Sequence, residues 1–217
     1  MTWLPFFNAF AAFIFLVSAI LWNLTGVQLV FGLGLVLALF LWLETNKAPN
    51  LHFLDSFWMF ILSEVLIFGS LLTSCLWFQE EGQENLSPYL EIPFFGCFLL
   101  IGSSITITAY HHTQGSFVAA DLHLLVTLVL GINFVLLQLE EFSECSITIL
   151  DSVYHASCFC TVGLHFSHVV IGLLLLITLF IFGEEVFGSY YSTLFIWYWH
   201  FVDYIWLIVY TVVYLCS

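Results

Sequence analysis

The sequence predicts an all-α, polytopic transmembrane protein, and three observations carry that prediction. Hydrophobic residues make up 62% of the 217-residue chain, charged residues only 7%, and the mean hydropathy is +1.09. A soluble domain holds about 25% charged residues, so a water-facing surface cannot be built from this composition. The apolar residues are also gathered into long runs between short polar segments, without the alternation over about ten residues that marks a membrane barrel. Helices follow, because a span must satisfy every backbone N–H and C=O within itself.

The runs fall at residues 3–22, 27–43, 53–78, 89–110, 121–139, 153–182 and 190–215. Crossing roughly 30 Å of hydrocarbon takes about 20 apolar residues, so each run is read as one helix and the fold as a seven-helix bundle. The first run opens at Met1-Thr2-Trp3-Leu4-Pro5 without a basic n-region, and is read as a span, not a cleaved address. Asn23 to Gly26 ends it, and Thr45 to Asn50, with Pro49, ends the second. Gln79 to Pro88, carrying Glu80, Glu81 and Glu84, closes the third run; His111 to Ser116 closes the fourth and Glu140 to Glu144 the fifth. Gly183 to Ser189 divides the sixth from the seventh. The runs longer than 25 residues imply tilt or extension beyond the hydrocarbon. Neither a repeat nor a shift of composition marks a second domain. The expected organisation is one membrane domain over 1–217, with helices 1–2 in 1–45 as a semi-separate pair and helices 3–7 in 53–217.

Charge narrows the function. Lys47 is the single strong cation, arginine is absent, and the formal net charge is −14. Nucleic acid is excluded as a partner. The acidic groups must find cations on other chains, which favours a subunit over a free-standing protein. By parity, the loops carrying Lys47 and His111-His112 share one face of the membrane, and the acidic loops around Glu80 and Glu140 share the other. The positive-inside rule then puts the N-terminus on the Lys47 side and the two termini on opposite faces. Six cysteines occur without a Cys-x-x-Cys pair; Cys75, Cys97, Cys158 and Cys160 lie in apolar runs and read as small apolar fillers. Twenty-five Phe against one Lys fits a coding strand rich in T and poor in A, as in small organellar genomes, and points to a mitochondrion.

A few groups cost free energy to place in lipid. Glu64 sits mid-way along the third run, where an ionised carboxylate costs about 2.5–3.5 kcal/mol. Its own helical face carries Phe57, Phe60, Ile61, Phe68 and Leu71, none of which is a charge partner. A neutral, protonated side chain is expected, serving either a proton- or lipid-linked role or a hydrogen bond to a neighbouring helix. His165 and His168 lie at i, i+3 on a stripe with Cys158, Thr161 and Gly172, a pattern of close helix packing. Interhelical hydrogen bonds from neutral imidazoles are expected there, since a metal centre needs further ligands and Glu64 is the one obvious candidate. In the seventh run, His200 and Asp203 stand on adjacent turns and are expected to pair. Trp197, Tyr198, Trp199, Trp206, Tyr210 and Tyr214 suit either an interfacial belt or the lining of a lipid-filled groove.

Taken in order, several segments resemble one family. Trp197-Tyr198-Trp199-His200-Phe201-Val202-Asp203 resembles the W-Y-W-H-F-V-D segment of subunit III of the haem-copper (cytochrome c) oxidases. Ser63-Glu64-Val65, His111-His112, Gly163-Leu164-His165-Phe166-Ser167-His168-Val169 with Gly172, and Leu136-Leu137-Gln138 with Glu140 and Glu141 resemble further segments of that family in the same order. The resemblance runs from about residue 53 to the C-terminus. It departs from the pattern at His155, where the family has glycine, and in the lack of arginine for lipid headgroups.

The resemblance implies a seven-helix fold split into a two-helix and a five-helix part by a lipid-binding cleft. It implies a non-catalytic core subunit of respiratory complex IV in the mitochondrial inner membrane, with no metal of its own. Haem a and copper would lie in partner subunits I and II, and bound phospholipid would fill the cleft. Glu64, His200 and Asp203 would be the residues associated with proton uptake and the lipid cleft, and His165 and His168 structural polar groups. Two rival readings exist. A stand-alone proton or ion transporter would show inverted repeats and broken helices, which the sequence lacks. A metal-bearing membrane oxidase subunit would need histidines clustered on facing helices.

Overall fold

The computed structural model describes residues 4–45, 53–79, 86–113 and 117–216. All regular structure among them is helical: α1 (Leu4–Ile20), α2 (Leu24–Thr45), α3 (Leu54–Trp77), α4 (Ile92–His112), α5 (Phe117–Glu144), α6 (Val153–Val209) and a terminal π-helical turn, Tyr210–Leu215. Five segments are long and apolar enough to cross a membrane, in α2, α3, α4, α5 and Val153–Leu215, and α1 is a shorter apolar helix. Lys47 and the acidic group Glu80, Glu81 and Glu84 lie outside the described residues. The backbone forms two compact units, residues 1–54 and 55–217.

In the first unit α1 and α2 make a hairpin closed by a tight local turn. Trp22 takes a left-handed conformation (φ 51) just past the end of α1, and the Asn23 N–H donates to the Ser18 carbonyl at 2.8 Å. This is the hydrogen bond that satisfies an orphan carbonyl at a helix C-terminus. Asn23 then caps α2, its Oδ1 accepting from Thr25 Oγ1 at 2.6 Å and from the Gly26 N–H at 3.3 Å. Gly26 is required by space: a Cβ there would overlap Ser18 Oγ. Ala11, Val30 and Leu37 form the small core between the helices. Phe6, Phe7, Phe10 and Phe13 are exposed, as helices facing lipid demand.

The second unit is built on α4, α5 and α6. Pro93 sits in the first turn of α4, where its missing N–H costs nothing. Thr113 ends that helix by donating its N–H to Ala109 and Tyr110 carbonyls. Ser152 caps α6 by accepting from the His155 N–H at 3.1 Å. In the loop before it, the Thr148 N–H donates to Asp151 Oδ2 at 2.6 Å and holds that carboxyl below the usual carboxylate range. Along α3 the hydroxyls of Ser63, Ser70, Thr73 and Ser74 donate back to carbonyls of their own helix, which satisfies them without water.

The α6 element covers 57 residues, as two helical arms joined at a kink. At about 1.5 Å per residue a straight rod of that length would reach about 85 Å, nearly three times the hydrocarbon thickness. It is not straight. Gly183 (φ 71, ψ 169) and Gly188 (φ 76, ψ 161) leave the helical region for the left-handed half that glycine enters freely. The two arms pack on each other: His165 reaches the Val202 carbonyl at 3.1 Å, Tyr198 OH reaches the His168 carbonyl at 3.4 Å, and Gly172 lies under Trp199. From His165 with Val202 to His168 with Tyr198 the numbers rise on one arm and fall on the other, so the arms are antiparallel. The sixth and seventh runs therefore fold as two helical arms within α6, joined by a turn at Gly183 and Gly188.

Trp199 is the centre of the core, with no exposed surface. A Cβ at Gly172 would come within 2.9 Å of its ring, and one at Gly131 within 2.9 Å of its ring and 2.7 Å of Leu173. The seat is thus cut from two helices by two missing side chains. The indole Nε1–H donates to Ser103 Oγ of α4 at 3.0 Å, so three elements meet on one ring. Gly131→Ala and Gly172→Ala are expected to destabilise the protein by about 1–3 kcal/mol each through overpacking. Gly163→Ala, where a Cβ meets nothing within 4 Å, should be near neutral. Thermal unfolding in detergent micelles distinguishes these outcomes.

Candidate functional site

Glu64 of α3 finds its partner across the helix interface. Its Oε2 lies 2.9 Å from His168 Nε2 of α6. His168 Nδ1 stands 2.8 Å from the Leu164 carbonyl, which can only accept, so Nδ1 carries a proton. The Glu64–His168 contact then holds one proton between Oε2 and Nε2, either as carboxylic acid and neutral imidazole or as carboxylate and imidazolium. Both forms are neutral overall, and that neutrality is what a low-dielectric site requires. Phe68 meets the His168 ring edge-on at 5.4 Å, and Tyr198 stacks on it at 6.4 Å. The wheel of α3 alone offers Glu64 no partner; the second helix supplies one.

His165 is fully buried and lies one turn from His168. Its Nε2–H donates to the Val202 carbonyl, and its ring packs on Trp206 at 4.9 Å and against Phe134 at 5.8 Å. Both histidines thus make interhelical hydrogen bonds, but to different partners. They do not converge. Among the described residues, no three His, Cys, Asp or Glu side chains gather as a metal site would need.

His200 and Asp203 do not pair. His200 is half-buried and turns to α4, with Nδ1 2.8 Å from Ser104 Oγ and Nε2 3.3 Å from Thr108 Oγ1. Asp203 is buried in the core beside Ser103 and Ser104, and neither of its oxygens has a hydrogen-bond partner among the described residues. Three residues of helix turn the two side chains about 60° apart, enough to send one sideways and the other inward. The aromatic run departs from expectation in the same way. Tyr198, Trp199, Trp206, Tyr210 and Tyr214 are all buried and form core instead of a belt or groove lining: the last four repeat on the face turned to α4 and α5, and Tyr198 packs on His168 and Phe60.

A second buried carboxyl was less visible in the sequence. Glu141, near the end of α5, accepts from Ser87 Oγ at 2.6 Å and Tyr214 OH at 2.8 Å on Oε1, and from Gln138 Nε2 at 2.6 Å on Oε2. Three neutral donors from the α3–α4 connection, α5 and the π turn close around one acid. Its neighbour Glu140 is exposed. The i, i+3 spacing of Gln138 and Glu141 was the available signal, because it places an amide donor one turn before an acid. The same end of the unit is tied by Tyr210 OH donating to the Tyr89 carbonyl at 2.9 Å, and by Gln79 to the Cys216 carbonyl.

These features define a polytopic helical membrane protein in which Glu64 shares a proton with a histidine and Glu141 is met by neutral donors. The family model described as cytochrome c oxidase subunit III matches residues 2–217, and the chain belongs to that family. It is 41% identical to cytochrome c oxidase subunit 3 of Heterololigo bleekeri over 135 residues, covering 59% of this chain and 52% of that relative. It is 37% identical to the Loxodonta africana protein of the same name over 177 residues (72% and 66%), and 37% identical to that of Coturnix japonica over 171 residues (75% and 63%). The chain spans about half to two thirds of the length of these curated relatives.

Coupling across the first site is measurable. A double-mutant cycle with Glu64→Gln and His168→Gln is expected to give an interaction energy of about 0.5–3 kcal/mol in detergent unfolding, while His200→Gln with Asp203→Asn should give a smaller one. Tyr214→Phe, which removes one donor from Glu141, should cost about 1–3 kcal/mol in the same measurement.

Proposed function

We propose that this chain is a non-catalytic core subunit of the terminal cytochrome c oxidase, respiratory complex IV, in the mitochondrial inner membrane. It assembles there with oxidase subunits I and II, which carry haem a and copper and conduct electrons from cytochrome c to oxygen. The role of this chain is to support assembly, stability, phospholipid binding and proton uptake coupled to pumping. The observation that carries this reading is the match of the family model over residues 2–217. The near absence of cations supports a subunit role, since Lys47 alone cannot answer fifteen acidic residues. It also means that phospholipid headgroups must be held by His, Trp and backbone donors of this chain, or by lysines and arginines of partners.

Within this reading Glu64 and His168 are the residues of the proton-linked role. Their contact can store or pass a proton with no change of net charge when the proton moves from Oε2 to Nε2. Asp203 and His200 keep the lipid-cleft role as part of the proposal, though the two act separately. In an infrared titration, a carboxyl band lost in Glu64→Gln identifies the protonated form; a band already ionised near pH 5 rules out the neutral-acid form.

Purification of the tagged chain from its own membranes in mild detergent tests the whole reading. Haem a absorption together with a larger metal-binding partner in the mass spectrum is the expected result. A colourless, homogeneous protein without partners would overturn it and turn attention to transport assays.

A further inference from the structure

Asp203, on the second arm of α6, is buried with both carboxyl oxygens lacking a hydrogen-bond partner among the described residues. The polar side chains beside it are the hydroxyls of Ser103 and Ser104 on α4. Each hydroxyl has one hydrogen to give, and both hydrogens are committed elsewhere. Ser103 Oγ donates to the Leu100 carbonyl at 2.7 Å and accepts from Trp199 Nε1–H at 3.0 Å. Ser104 Oγ stands 2.8 Å from His200 Nδ1. The direction of that bond follows from the other ring nitrogen. Thr108 Oγ1 donates to the Ser104 carbonyl at 2.8 Å, so it accepts from His200 Nε2, 3.3 Å away. Nε2 therefore carries the hydrogen of the neutral ring, Nδ1 accepts, and Ser104 donates to it.

Both serines can thus only accept from Asp203. A carboxylate, itself only an acceptor, would meet lone pairs on both sides in a dry core, whereas the acid form brings a hydrogen to an oxygen that can take it. The hydrogen bonds then share one direction, from Asp203 to Ser104 to His200.

We propose that Asp203 is held as the carboxylic acid and exchanges its proton with the membrane face through Ser104 and His200, as a proton site separate from the Glu64–His168 contact. In the transfer the Asp203 O–H bond breaks as an O–H bond forms at Ser104 Oγ, and the hydrogen that Ser104 held forms the Nδ1–H bond of His200. The result, a carboxylate and an imidazolium, has the same net charge as the start. His200 is half-buried, so a turn of its ring gives Nδ1–H up to the outside. Thr108 and His111 follow Ser104 at four and seven residues on one face of α4, a climb of about 10 Å to the end of that helix, and His111 is close enough to interact with the charge of His200. The two side chains do not touch, and Ser104 joins them for this purpose alone. The lipid-cleft role given to them above requires neither transfer, so either reading can fail without the other.

The test uses the full chain in detergent micelles, with aspartate isotope-labelled in its side-chain carboxyl, and follows the infrared band of the protonated acid. Asp55, Asp121 and Asp151, the other aspartates, are exposed, so a labelled acid band that persists at neutral pH belongs to Asp203. One such band is expected, and on transfer to heavy water it should exchange before the protected backbone amides do. Ser104→Ala and His200→Phe should each slow that exchange by about a hundredfold, while Ser104→Thr, which keeps the hydroxyl, should retain it. Absence of the band at neutral pH, exchange only together with the amides, or equal rates in Ser104→Ala and the unmutated chain would each overturn the proposal. The first two outcomes are read on the unmutated chain, so a variant that fails to fold does not shelter the proposal from the test.

Discussion

The 55–217 unit depends on one indole finding room. Trp199 is, with Trp206, the largest group that the core must absorb, and it fits because Gly131 and Gly172 give up their side chains beneath it. Once seated, its Nε1–H fixes Ser103 of α4, and its neighbours on the same helical face, Val202, Trp206 and Val209, are carried into the same interface. Trp206 in turn packs on Phe134 and His165, and a Cβ at Gly96 would stand 3.0 Å from Phe134. Lipid offers no hydrophobic drive for helices to associate, so shape complementarity of this kind, large ring against missing side chain, is the main source of cohesion.

The polar groups obey a second constraint, the lack of cations. A buried acid elsewhere is usually met by Lys or Arg; here each finds a different answer. Glu64 shares a proton with His168, Glu141 collects three neutral donors, and Asp203 lies beside two serines already engaged with Trp199 and His200. These are solutions of increasing dryness. The first stays neutral by moving a proton, the second disperses charge over hydroxyls and an amide, and the third has no hydrogen bond at all among the described residues.

Much of the fold was legible because hydrophobicity and breaks are local properties. The Asn23 and Gly26 turn and the Gly183 to Ser189 break fall where residue chemistry placed them. The site was legible only in part. Glu64 and His168 were each conspicuous, yet their meeting depends on the facing of two helices 104 residues apart, which no wheel of a single helix contains. The i, i+3 rule failed for His200 and Asp203 because it allows a contact without requiring one: Ser104 and Thr108 offered His200 better partners on α4. The aromatic segment misled for a related reason. Trp and Tyr are amphipathic, and only the packing decides whether they meet water, lipid or one another.

The α1–α2 turn has a consequence for the order in which the protein is made. Every contact that sets its geometry joins residues no more than eight apart: Ser18, Trp22, Asn23, Thr25 and Gly26. Such a hairpin has very low contact order, and its closure waits for nothing synthesised later. As the chain emerges from its N-terminus, the first pair of helices can form and enter the bilayer as one piece. The long-range seat of Trp199 must wait for a residue made well after the α1–α2 turn.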